Sequence, residues 1–122
     1  MKKLILYIFI FIISCNNDNI NHNAVGKYVN AYDSESIHYV ELRSDSTFIH
    51  FYKKSNIISE NTGYWKLLKF KNKTEVVFRT WKNFGYEKSI KCNDCVRFVI
   101  LKNNELIFDY DLLNEMNFRK MK

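Results

Sequence analysis

The chain has 122 residues, with 19 lysines and arginines against 13 aspartates and glutamates, a net charge of +6 with histidine neutral. That length fits a single domain once an N-terminal segment is set apart, and leaves too little chain for a second. The basic residues are interspersed with acidic ones and never run longer than a pair, so nucleic acid is not an expected partner.

Lys2 and Lys3 precede ten apolar residues, Leu4 to Ile13, which give way at once to Ser14, Cys15 and the polar run Asn16 to Asn23. A charged start, a short apolar run and a small residue before a cut make the pattern of an export signal. About 20 apolar residues are needed to span a bilayer, so this run is too short for a transmembrane helix. Ile12-Ile13-Ser14-Cys15 resembles the lipobox of bacterial lipoproteins, with Ile12 standing where leucine is usual. The resemblance implies that residues 1–14 are a signal peptide and that Cys15 carries the lipid as the first mature residue. It also implies a place in the bacterial cell envelope, with membrane and face left open. The alternatives are an ordinary secretory signal or a short buried strand. Several acyl chains, at about 0.8 kcal/mol per buried CH₂, would hold such a protein on a membrane without further help. Loss of residues 1–14 removes Lys2 and Lys3, leaving 17 basic against 13 acidic side chains and a net charge of +4. Residues 15–23, polar and without periodicity, read as the lipidated cysteine and its tether, and residues 24–122 as the folded domain.

From Ala24 onward, short runs rich in Val, Ile, Thr, Phe, Tyr and Trp alternate with polar turns, the pattern of an all-β protein. The expected strands, in order, are Val25 to Asn30, Ile37 to Arg43, Thr47 to Lys53, Thr62 to Phe70, Glu75 to Trp81, Tyr86 to Lys91, Val96 to Lys102, Glu105 to Tyr110 and Glu115 to Met121. Ser44-Asp45-Ser46, Lys71-Asn72-Lys73, Asn83-Phe84-Gly85 and Lys102-Asn103-Asn104 supply residues that tolerate tight or left-handed backbone between them. Successive hairpins of this kind predict an antiparallel meander of about eight strands.

Val40, Leu42, Phe48 and Tyr52 share one parity across the second hairpin, as do Trp65 with Leu67 and Val76 with Phe78. Glu41, Arg43, Thr47, Lys53 and Lys66 take the other, so most strands are wet on one side. A sheet of this size exposes its edges unless it closes, which predicts a small barrel. An apolar ligand inside it would need a cavity of at least about 300 Å³, and Val40, Phe48, Trp65, Phe78 and Phe98 are the candidate lining.

Gly26-Lys27-Tyr28, Leu42 with Asp45-Ser46-Thr47-Phe48, Gly63-Tyr64-Trp65 and Phe118-Arg119-Lys120 resemble lipocalin-like (calycin-type) small lipoproteins. In that group a Gly-x-Trp opens the first strand and a late basic residue packs over the ring. The resemblance implies that Tyr28 and Arg119 form this pair, that the domain is a lipocalin-like barrel, and that it binds an apolar molecule.

Cys92-Asn93-Asp94-Cys95 falls in an expected turn of an exported chain. A disulfide clipping the loop suits an oxidising compartment, with free thiols and metal or redox work as the other readings. A thioredoxin-like role requires the pair at a helix N-terminus, and none is read here. His38 and His50 can face one another across a hairpin with Asp33, Glu35 or Asp45 nearby, yet no HExxH, GxSxG or Gly-rich loop accompanies them. Asp109, Asp111 and Glu115 read as a solvated segment. No enzyme, metal or cofactor is expected.

Two non-catalytic readings remain. The barrel binds an apolar small molecule or lipid inside, or it presents a surface to an envelope or secreted protein, as an immunity or inhibitor lipoprotein or an assembly factor would. For the second, Trp81, Phe84 and Tyr86 are the candidate surface. An inhibitor of a cationic lysozyme is expected to be acidic, which the basic mature chain disfavours.

Overall fold

The structure, a computed structural model, describes residues 23–84 and 95–122. The signal segment, Cys15, the expected strand at Tyr86 to Lys91 and Cys92 lie outside the described residues. Eight strands follow one another around a closed antiparallel barrel: β1 Gly26–Asn30, β2 Ser36–Leu42, β3 Thr47–Lys54, β4 Ile57–Lys69, β5 Thr74–Trp81, β6 Cys95–Lys102, β7 Glu105–Ile107 and β8 Phe118–Lys120. One helical turn, α1, spans Leu113–Met116. Each strand pairs with its sequence neighbour, and Tyr28 opposite Lys120 with Val29 opposite Arg119 closes the ring.

The turns show why the chain reverses where it does. Asn103 and Asn104 both have positive φ, 54° and 62°, which is what a two-residue hairpin between Lys102 and Glu105 demands and asparagine tolerates. Asp45 accepts the Thr47 amide at 3.0 Å while Ser46 takes φ 69°. Ser55, at φ 54°, opens the two-residue reversal from Lys54 to Ile57, so β4 begins five residues before the expected Thr62. Ile57 and Ile58 are exposed, and that stretch pairs with β3 without an apolar face of its own to mark it as strand.

The inward row is nearly pure apolar: Tyr28, Val40, Leu42, Phe48, Val76, Phe78, Val99, Leu106 and Phe118 are buried, with Trp65 and Trp81 among them. The rings pack on one another, Phe48 edge-on to Phe78 at 5.0 Å and Phe78 against Trp81 at 4.8 Å. Val40, Phe48, Trp65 and Phe78 are therefore packed core. Phe98 is not with them: β6 sets Val99 opposite the inward Val76 and Phe98 opposite Val77, so Phe98 lies on the outer wall, 58% exposed.

Trp81 also departs from expectation, since it is core and 2% exposed rather than surface. Three steps along β5 separate Phe78 from Trp81, but only two along β6 separate their partners Arg97 and Cys95. The extra residue is a β-bulge, with Thr80 at φ 60°. Strict alternation from Phe78 would send Trp81 outward; the bulge reverses parity and turns it in.

Gly63 sits opposite this bulge. A Cβ there would meet the Thr80 hydroxyl and the Arg79 carbonyl inside van der Waals contact and come within 2.8 Å of the Phe48 ring. Two of the three neighbours belong to β5 and the third is a core ring, so none yields cheaply. Gly63→Ala is expected to destabilise the barrel by roughly 2 kcal/mol, as overpacking does. Urea unfolding checks this, and an unchanged midpoint would mean that the bulge is not fixed against β4.

Candidate functional site

The two ends of the barrel differ. At one end lie the tight turns at 43–46, 70–73 and 103–104 and the incoming chain at Asn23. Tyr28 donates its hydroxyl hydrogen to the Ala24 carbonyl at 2.7 Å, and burial pushes that hydroxyl up to about 12. Lys120 Nζ donates to the Asn23 carbonyl at 2.7 Å and stands 6.0 Å from the centre of the Tyr28 ring. The cation near Tyr28 is thus Lys120. Arg119, one residue earlier in the register, is exposed opposite Val29.

The other end is a mouth, built from the 31–35 connection, the 55–56 turn, residues 82–84 and the segment 108–117. Two buried asparagines hold that last segment in place. Asn30 Nδ2 donates to the carbonyls of Glu115 at 2.8 Å and Asn117 at 3.1 Å, while Asn117 Oδ1 accepts the Phe108 amide at 2.9 Å. Backbone bonded to side chains cannot also join a ladder, which is why β7 stops at Ile107 and β8 starts only at Phe118, shorter than the expected Glu105 to Tyr110 and Glu115 to Met121.

Below the mouth sits a histidine pair. His50 is 1% exposed, stacked between Trp81 at 4.1 Å and Phe84 at 4.6 Å. His50 Nδ1 lies 3.0 Å from the Lys82 carbonyl, which can only accept, so the hydrogen is on Nδ1. His50 Nε2 then keeps its lone pair and accepts from His38 Nε2–H at 2.8 Å. His38 Nδ1 retains a lone pair of its own, and His38 is among the residues that line the mouth. Burial holds His38 down to about 4 and His50 well below the usual histidine range, where the neighbouring His38 also disfavours a charge. Both rings are neutral at pH 7. Asn61 supports the pair: its Nδ2 donates to the Thr80 carbonyl at 2.8 Å and its Oδ1 accepts the Lys82 amide at 3.1 Å, satisfying backbone that the bulge leaves outside the ladder.

The space beside the histidines, bounded by Trp81, Phe108, Met116 and Phe118, is about 10 Å³, enough for about one water. Above it the mouth opens into a hollow of about 620 Å³ lined by Asp33, Glu35, His38, Tyr52, Lys54 and Glu115, among others. Lys54 Nζ donates to Asp33 at 2.7 Å, which holds the Asp33 carboxyl below its ordinary value. A second hollow of about 460 Å³, with Ile57, Ser59 and Phe84, lies across the Tyr52 and Lys54 ridge.

Of the residues singled out from the sequence, His38, Asp33, Glu35 and Glu115 meet at the mouth, while Asp45 lies at the opposite end. Phe84 is half-buried on His50, and Tyr86 lies outside the described residues. Cys95, heading β6, is disulfide-bonded. Among the described residues, no three His, Cys, Asp or Glu side chains come together as metal ligands. Asn30, Asn61 and Asn117 were not anticipated; the signal available was polar residues at inward parity on strands β1 and β4.

The described chain defines a closed eight-stranded antiparallel barrel with a packed aromatic interior and one open, polar mouth. No family model, curated protein or solved structure matches it.

The neutral histidines make a pH-sensitive element. Unfolded histidine titrates near 6.5, and the folded pair resists protonation, so below that pH the unfolded state binds protons the folded state refuses. Stability is therefore complete above about pH 6.5 and falls as pH drops toward 4. For His38 alone the loss between pH 7 and 4.5 is on the order of 2 kcal/mol. Urea midpoints at the two pH values check this, and the slope should flatten in His38→Gln with His50→Gln.

Proposed function

We propose that this chain is an exported bacterial lipoprotein, anchored through Cys15, that acts as a non-catalytic binding module and takes a cationic segment of an envelope or secreted protein in its barrel mouth. One observation carries the reading: the interior is packed, whereas the mouth is an open hollow whose lining, among the described residues, sets Asp33, Glu35 and Glu115 against one cation, Lys54. A packed interior removes the space an enclosed apolar ligand needs, and function moves to what the mouth displays.

The display suits a protein partner. Tyr32 stands 57% exposed at the rim, Tyr52 forms the ridge between the hollows, and His38 offers an acceptor beside the carboxylates. Aromatic anchors among polar groups are the usual make-up of an interface centre. Although the mature chain is basic, the described lining of the larger hollow holds three carboxylates and one lysine. Net charge therefore does not speak against a cationic target, and an immunity or inhibitor role fits the mouth.

A second reading keeps the apolar small molecule but moves it to the mouth, where Ile57, Phe84 and Tyr52 line the smaller hollow. The two separate cleanly. Envelope extracts are passed over the protein, over Tyr52→Ala with Glu35→Lys, and over Phe98→Ser on the outer wall. A protein retained by the unmodified chain and Phe98→Ser, and lost by the mouth variant, is the expected result. Retention unaffected by the mouth substitutions would overturn the proposal, as would a small-molecule adduct in native mass spectra of protein purified from its own envelope.

A further inference from the structure

Lysines crowd one end of the barrel. Around the end where the incoming chain arrives, Lys69, Lys71 and Lys73 lie on the β4–β5 turn, Lys102 on the β6–β7 turn and Lys122 at the C-terminus, all exposed, with Lys120 beneath the incoming chain. Among the described residues, four carboxylates stand near this end: Glu75 is bridged to Lys73 at 2.9 Å, Glu41 lies 3.9 Å from Arg43, Glu105 sits across the turn from Lys102, and Asp45 is tied to the Thr47 amide in its own turn. Two large apolar side chains stand out from the same rim, Phe70 at 52% exposed and Met121 at 57%. Phe70 is fixed at the tip of its turn, where its amide donates to the Lys73 carbonyl at 2.8 Å.

We infer that this lysine rim, with Phe70 and Met121 at its edge, docks on an anionic lipid bilayer and sets the barrel upright, mouth away from the membrane. Three observations meet here. Lysines attract anionic headgroups, each contributing about 1 kcal/mol near such a surface. An exposed phenylalanine and methionine amid lysines match an element that dips into the headgroup boundary. The chain that enters this end also leads back to Cys15, eight residues before Asn23. At about 3.5 Å per residue that tether reaches no more than about 28 Å, so the tether of a lipid on Cys15 leaves through this end of the barrel and brings this end toward the membrane. The orientation rests on the lipoprotein reading; the affinity of the rim does not.

The test uses the chain from Cys15 onward without lipid, which retains every strand of the closed barrel. Co-sedimentation is measured with vesicles of pure phosphatidylcholine and of phosphatidylcholine with 40% phosphatidylglycerol as the probe, about 40% being enough to give a strongly negative surface. Binding to the anionic vesicles alone is expected, fading as salt rises and shortens the screening length. Lys71→Glu with Lys102→Glu and Lys122→Glu should weaken it by about a hundredfold or more, about fivefold for each lysine lost. Lys53→Glu with Lys66→Glu and Lys82→Glu, which changes net charge equally away from the rim, should leave most of it. Equal loss in both triples would show attraction by net charge and overturn the docking rim. So would equal binding to both vesicle types, or preference for soluble polyglutamate over anionic vesicles, which would assign the rim to an acidic protein. Because no protein partner is present in this assay, failure here is distinct from failure of the mouth to capture a protein.

Discussion

The extra residue that β5 carries between Phe78 and Trp81 governs how this barrel is filled. It reverses the alternation of the strand, so that both aromatic side chains enter the interior from the same strand. Trp81 then provides the flat surface on which His50 stacks, and Asn61 reaches across from β4 to bond the backbone on both sides of Trp81. Gly63 leaves the room for the bulge to approach. The interior closes because one residue is out of step, and the histidine pair has a floor for the same reason.

Closure also divides labour between the two ends. At the tether end, short turns with left-handed asparagine and serine seal the barrel, and β8 fastens the incoming chain through Lys120. At the mouth, apart from the two-residue 55–56 turn, the connections are longer, and side-chain amides hold the 108–117 segment in place. That difference concentrates open, chemically varied surface at one end and leaves the other compact and cationic. The proposed docking of one end on a membrane and the other on a partner draws on this asymmetry.

The neutral histidines place a limit on chemistry as well as on stability. His50 has both ring nitrogens occupied, one by the Lys82 carbonyl and one by His38, so the pair supplies a single acceptor to the mouth. Recognition of a hydrogen-bond donor beside carboxylates is within its reach. The same desolvation that keeps the rings uncharged makes acid the condition under which the mouth loses its floor.

Alternation of apolar and polar residues over Val40, Leu42, Phe48, Trp65, Val76 and Phe78 was enough to read an antiparallel meander and its inner face, because cross-strand partners must share a face. Turn residues marked most of the reversals for the same local reason. Parity counting failed where the period broke: nothing local in Phe78-Arg79-Thr80-Trp81 announces a bulge, and nothing in Val96 to Lys102 tells that Val99 rather than Phe98 meets Val76. Both depend on register with neighbouring strands. The sequence by itself thus determined the all-β class and most of the core, since these rest on period and composition. Only the tertiary structure decided that Trp81 is core, that His38 and His50 are hydrogen-bonded, that Asn30 and Asn117 shape the mouth, and that Asp33, Glu35 and Glu115 meet at one opening of a basic chain. Each of these requires residues distant in sequence to be brought together by closure of the barrel.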